Sequence, residues 1–282
     1  MPNILEFLAH THQSWIHPRG RAATRCLLDK LAAETHDKVL EIGFGTGQTL
    51  VEAAGRWPDA RFWAIERSAA MFETTSRRLR FCGIRQAELM LTGDQPTLPF
   101  PDGFFDAVYA ESVLAILPDA AIEGYFREIH RVLRPGGIFL NNESLWLSGL
   151  PVDKRQEINR MGVENFGIQQ AAERWATKEG WLHLAETSGL VVADVLPLSA
   201  IRPLSRWSLQ PPWRSTVFSA LGWVRRTFHP ALRAQRRSLL AAQKEMGRQG
   251  PFLEAWLFHF TRPASCTSHG QVLSTTGFHK PL

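Results

Sequence analysis

The ten residues Val39-Leu40-Glu41-Ile42-Gly43-Phe44-Gly45-Thr46-Gly47-Gln48 constrain this chain more than any other stretch. A short apolar run carries an acid near its end, and three glycines at alternate positions lead into a helix-forming segment. An apolar strand followed by a Gly-rich turn is how a doubly wound sheet opens a nucleotide crevice. The spacing is G-x-G-x-G, unlike the G-x-G-x-x-G of dinucleotide-binding turns.

Strand and helix signals alternate around this turn. Residues 1–37 read as a helical cap, with Ile4, Leu5, Leu8 and Trp15 on one apolar stripe and a turn at His17-Pro18-Arg19-Gly20. After the first strand come a helix over Gln48–Arg56, a strand at Arg61–Ile65, a helix over Ala69–Phe81, a weak strand at Glu88–Leu91 and a fourth at Phe105–Ala110. Asp119 is expected to cap the next helix, whose apolar positions Ile122, Phe126, Ile129 and Leu133 keep a helical period. Pro135-Gly136-Gly137 is expected to end it, before a fifth strand at Ile138–Leu140. Helices are expected around Lys154–Glu164 and Gln169–Lys178, a sixth strand at Gly189–Val195 and a seventh at Pro251–Thr261. Regular alternation predicts an α/β fold with a parallel sheet and helices on both faces. A helical insertion over about 198–250 separates the last two strands, and the Ser-, Thr- and Gly-rich stretch 263–282 reads as a disordered tail.

The 282 residues can bury a full core. No window resembles a membrane span, and the first residues lack a signal-peptide pattern. Cys26, Cys82 and Cys266 are scattered and odd in number, which fits a reducing, cytoplasmic setting rather than a disulfide framework. The net charge of +5 is unevenly spread: Arg202–Arg248 carries ten Lys or Arg against Glu245 alone, a local +9, leaving −4 for the remainder.

Motifs after the glycine turn fix its meaning. Glu66 ends the second strand, where a carboxylate can accept both ribose hydroxyls. Thr92-Gly93-Asp94-Gln95 follows the third strand, Phe105-Asp106-Ala107-Val108 forms the fourth, and Arg131-Val132-Leu133-Arg134-Pro135-Gly136-Gly137 leads into the fifth. In this order they resemble the motifs of the class I S-adenosylmethionine (SAM)-dependent methyltransferases, over roughly residues 36–145 and more loosely to 262. The resemblance implies a seven-stranded Rossmann-like sheet with its last strand antiparallel, within a domain spanning 38–262. It implies SAM as cofactor, with S-adenosylhomocysteine as product, and transfer of the sulfonium methyl to O, N or C of a small molecule. Glu41, Gly43, Gly45, Thr46 and Gly47 would face the methionine and ribose side, Glu66 the ribose, and Asp94 and Gln95 the adenine, with Arg67 in the same cofactor site.

Three residues are candidates for the chemistry. Glu111 and Glu143 follow the fourth and fifth strands, and ligands in open α/β sheets bind outside the carboxyl ends of the strands. Either could attract a cation, take a proton from a nucleophile or hold SAM and loop backbone. His17 precedes the helix that family members fold over the pocket. Asp106 is expected to stabilise the sheet and touch no ligand. His10 and His12 have metal-pair spacing without a third local ligand, so no metal is expected.

The basic segment, with Trp207, Trp213, Phe218, Trp223 and Phe228 among its arginines, reads as a solvated face, a lid, or a surface for anionic lipid or nucleic acid. The signature motifs of DNA amino- and cytosine-C5 methyltransferases are absent, so the substrate is expected to be an apolar or cationic small molecule rather than nucleic acid. The competing readings are an NAD-linked oxidoreductase on the same fold and a non-catalytic module that keeps it.

Overall fold

The computed structural model describes residues 4–31, 37–93, 95–201 and 212–264. Asp94, the first part of the basic segment (202–211) and almost all of the expected tail lie outside them. Two helices, α1 (Ile4–His10) and α2 (Arg21–Leu31), precede β1 (Lys38–Ile42), α3 (Gln48–Arg56), β2 (Arg61–Glu66), α4 (Ala69–Cys82) and β3 (Ala87–Leu91). Then come β4 (Phe105–Glu111), α5 (Asp119–Val132), β5 (Leu133–Trp146), α6 (Val152–Phe166), α7 (Lys178–Thr187) and β6 (Val191–Pro197). Helices α8 (Trp213–Phe228) and α9 (Pro230–Gly247) form the insertion before β7 (Leu253–Thr261), and Pro230 starts the second of them, where its missing N–H costs nothing.

One seven-stranded sheet has the order β3-β2-β1-β4-β5-β7-β6. The first five strands are parallel, and β7 runs antiparallel between β5 and β6. Successive side chains of a strand point to opposite faces, and each face has its own core. Val108 and Ala110 of β4 pack with Phe126, Phe139 and Trp181 on one side. Ala107 and Tyr109 pack with Leu27, Leu50 and Phe62 on the other. Asp106 binds the sheet's lower edge together, accepting the Lys38 N–H at 2.9 Å and Arg134 Nε at 2.6 Å.

Four local expectations are corrected. Pro135-Gly136-Gly137 does not stand outside the sheet: it is the irregular opening of β5, where Gly136 N–H donates to Arg262 O at 2.8 Å and the register against β4 shifts. The strand therefore runs on to Trp146, and Glu143 lies within it opposite Trp256 rather than after it. No helix forms at Gln169. The Asn159 amide oxygen takes the Gln170 N–H at 2.8 Å, and Asp119 takes those of Arg174 and Trp175 at 3.2 and 3.1 Å, so the backbone donors a helix would need are already bound. The helix starts at Lys178, capped by Thr177, whose hydroxyl accepts the Gly180 N–H at 3.0 Å. Asp119 is thus occupied with this loop, and Pro118 holds the capping position of α5.

Candidate active site

A cavity of about 540 Å³ opens at the carboxyl ends of β1, β2, β4 and β5. Its floor is the glycine turn and the strand-end acids. Its roof is apolar: Ile4, Leu5 and Leu8 of α1, with Ile116 and Leu117 after β4 and Leu253 of β7. Helix α9 contributes Gln243.

The three glycines divide the work. All have positive φ (72°, 50° and 75° at Gly43, Gly45 and Gly47), a region that disfavours other residues. A Cβ on Gly43 would stand 2.4 Å from Val113, and one on Gly47 2.5 Å from Thr75, so these two permit close packing. Gly45 meets only the tip of Ile16, at 3.3 Å, and it borders the cavity. Gly47 caps α3 and is not part of the lining. Thr46 borders the cavity while its hydroxyl donates to Gln13 O at 2.5 Å, tying the N-terminal segment across the turn.

Glu41 is buried at the end of β1, and Tyr109 donates to it at 3.0 Å. Burial pushes its carboxyl up to about 8, with the Tyr109 bond opposing and the charges of Glu111 and Glu66 adding to the rise. Glu66 is raised as well, by burial, against the pull of the Ser68, Gly45 and Arg67 N–H groups that it accepts at 2.9, 3.0 and 3.0 Å. A carboxylate offers about four acceptor sites, so three of these bonds leave room for one further donor, such as a ribose hydroxyl. Arg67 borders the same end of the cavity.

Glu111 ends β4 and gathers donors from three elements. Thr49 of α3 reaches Oε2 at 2.6 Å, Thr24 of α2 at 3.1 Å, and Asn142 of β5 reaches Oε1 at 3.2 Å. His17 Nε2 lies 3.5 Å from Oε2 and 2.9 Å from the Thr24 hydroxyl. His17, Thr24 and Glu111 therefore form a short hydrogen-bonded chain that begins at the cavity wall. Glu143 is differently engaged. Its Oε1 accepts the Val113 and Leu114 N–H groups at 3.1 and 2.8 Å and the Asn141 amide at 3.1 Å, which fastens the loop after β4 to β5. Burial raises its carboxyl to about 7.

The structure thus brings together Glu41, Gly43, Gly45, Thr46, Glu66, Arg67, His17, Glu111 and Glu143 around one cavity. Gln95 is exposed and stands away from the lining, and Asp94 lies outside the described residues. Sequence reasoning missed Thr49, Tyr109 and Ser112. Thr49 sits two residues past the last glycine, one helical step inside α3, and that offset was a usable signal. Ser112 has no sequence signature. It holds a left-handed φ of 57°, its hydroxyl is buried without a hydrogen-bond partner, and it lines the cavity. Backbone strain of this kind costs about 1–3 kcal/mol and clusters at ligand sites.

Parts of this chain are similar to known proteins. The methyltransferase domain family matches residues 39–137. Sterol 24-C-methyltransferase erg6 of Aspergillus fumigatus is 33% identical over 128 residues, which is 45% of this chain; the chain spans 33% of that relative's length. Among solved structures, phosphoethanolamine N-methyltransferase 2 of Haemonchus contortus with SAM superposes with a TM-score of 0.65 at 16% identity, over 92% of this chain and 56% of that one. The (4+2) cyclase SpnF superposes with a TM-score of 0.64 at 16% identity, over 94% of this chain and 97% of that one. Its strand order, its glycine turn and the family match together identify the stretch 39–137 of this chain as a methyltransferase domain.

Proposed function

We infer that the protein is a SAM-dependent methyltransferase whose acceptor is a small, largely apolar molecule. One observation carries the choice of cofactor. Four carboxylates, Glu41, Glu66, Glu111 and Glu143, line the cavity, and Arg67 is the one Lys or Arg among the described lining residues. Even with Glu41 protonated by burial, such a wall offers oxygen acceptors to a ligand bearing sulfonium and ammonium groups and gives a pyrophosphate a single cationic partner. That disfavours the NAD-linked reading of the same fold. Glu41 and the backbone of Gly43–Thr46 would hold the amino-acid end, and Glu66 and Arg67 the ribose end.

SAM supplies, when bound, a methyl group on sulfur, already an excellent leaving group. The chain's task is then alignment and exclusion of water. The apolar roof supports an apolar acceptor, in keeping with the name of the sterol 24-C-methyltransferase relative. Where the acceptor atom carries a proton, the His17–Thr24–Glu111 chain is suited to take it: the Thr24 hydroxyl bonds both neighbours and can pass a proton between them. Free thiols at Cys26 and Cys82 support a reducing, cytoplasmic setting. Among the described residues no helix is long and apolar enough to cross a membrane.

Calorimetry with SAM, S-adenosylhomocysteine and NADH tests the cofactor. Binding of the first two without the third is expected, and the opposite order overturns the reading. For the proton chain, Glu111→Gln and His17→Ala are expected to lower methyl transfer to a protonated acceptor by about a hundredfold or more. An unchanged kcat in both would remove the chain from the chemistry.

A further inference from the structure

Helix α8 buries one stripe and exposes another. Ser215, Phe218 and Gly222 face inward at helical spacing. At Gly222 an added Cβ would stand 2.1 Å from Thr11 O, so the helix lies hard against the N-terminal segment. On the opposite side Val217, Leu221, Val224 and Phe228 recur at steps of four and three, with Trp213 one turn earlier, all exposed. Phe228 is 75% exposed, Trp213 68% and Leu221 52%. An inner apolar stripe is what packing on the domain requires. A second stripe facing away from it has no role in that packing, and contiguous exposed apolar surface marks an interaction site.

The charges around this stripe are of one sign. Between 212 and 248 stand eight Lys or Arg and one acid, Glu245, and α8 contains no acid. Arg214 and Arg225 border the stripe at helical spacing, and Arg233, Arg236 and Arg237 of the adjoining α9 are exposed. An apolar stripe edged by arginine and carrying Trp and Phe is the composition of a helix that lies in a bilayer interface. Near an anionic surface each basic side chain adds an attraction that salt screens.

We propose that the outer face of α8, with the arginines of α9, docks on the surface of an anionic lipid bilayer. This does not depend on the methyltransferase reading. Charge selects the occupant: a second copy of the same face would oppose arginine with arginine, and nucleic acid would match the arginines while leaving the apolar stripe in water. The docked face adjoins α9, which reaches the cavity through Gln243. The cavity's apolar roof would then lie close to the lipid.

The test is vesicle flotation of the full chain with phosphatidylcholine alone and with a phosphatidylcholine–phosphatidylglycerol mixture. Binding to the anionic vesicles is expected to exceed that to neutral ones by about tenfold or more and to fall as salt rises. Val217→Ser/Leu221→Ser/Val224→Ser should weaken binding by about tenfold with an unchanged melting temperature. Should the triple variant not fold, Phe228→Ser alone must still weaken it. Arg233→Gln/Arg236→Gln/Arg237→Gln should abolish the preference for anionic vesicles. Equal binding to both vesicles, or variants that bind as the parent does, overturns the proposal. So does a lipid-free dimer that the apolar substitutions dissolve, or equally tight binding to duplex DNA.

Discussion

Tyr109 and Glu41 face each other in register on β4 and β1, and the phenol donates to the carboxyl at 3.0 Å in a fully buried pair. A carboxyl with its folded value near 8 and its ordinary value at 4.5 holds a proton in the folded chain that the unfolded chain has released. Its contribution to stability is complete below 4.5 and is lost as pH rises toward 8, by at most about 1.4 kcal/mol per pH unit. His12 and His130, both lowered by burial, act oppositely below their ordinary 6.5, because the unfolded chain binds their protons more readily. The difference between the parent and Glu41→Gln cancels the histidines. That variant is expected to gain relative stability steadily across this window when denaturant midpoints are measured at several pH values, and a parallel pair of curves would contradict it.

Glu143 separates two roles by one substitution. Glutamine keeps a carbonyl oxygen for the Val113, Leu114 and Asn141 donors, whereas alanine leaves buried N–H groups unpaired. Glu143→Ala is expected to cost about 2–4 kcal/mol in urea unfolding. Glu143→Gln should keep the fold and most of the methyl transfer, since the side chain positions the loop rather than moving a proton. A large fall in kcat for the glutamine variant at full stability would make Glu143 a base instead.

The glycines of the turn should fail in different ways. Gly47→Ala places a Cβ against Thr75 at a φ of 75°, so a stability loss of about 2 kcal/mol or more is expected. Gly45→Asp adds its side chain and charge at the cavity border, and SAM affinity should be lost by calorimetry. Normal affinity in a folded Gly45→Asp chain would move the cofactor elsewhere.

Arg78 is wholly buried among uncharged partners. Its Nη1 donates to Gln48 at 2.6 Å and to Ser215 at 2.7 Å, its Nη2 donates to His12 O at 3.0 Å, and its guanidinium lies 4.9 Å from the Phe218 ring. Burial lowers it to about 10. It joins α4, α8 and the N-terminal segment at one point. Arg78→Ala is expected to cost about 2–4 kcal/mol and to speed amide exchange first in α8. Lysine should recover little, because a single ammonium cannot replace a planar fork.

What the sequence disclosed was local. The glycine turn, the strand-end acids Glu41, Glu66 and Glu111 and the pairing of strand with helix all depend on neighbours within one βα unit, where period and turn chemistry speak directly. What stayed hidden depends on distant partners. The helix expected over Gln169–Lys178 is undone by Asn159 and Asp119. The length of β5 depends on its pairing with β7, which carries Glu143 from a strand end into the sheet interior. Arg78 reads as one more basic residue on an exposed helix until α8 closes over it. Ser112 owes its strained conformation to the β4–α5 loop that Glu143 holds.

The place of β7 has a consequence for how the chain matures. It fills the gap between β5 and β6, yet it follows both of them and the α8–α9 insertion in the chain. On a ribosome, the strands that carry the glycine turn emerge early, while the inner edge of β5 stays unpaired until residues 253–261 arrive. Such an open edge invites pairing with other chains. The final strand therefore acts as a late closure on the nascent protein, and truncations within or before it should yield aggregates rather than a smaller, competent domain.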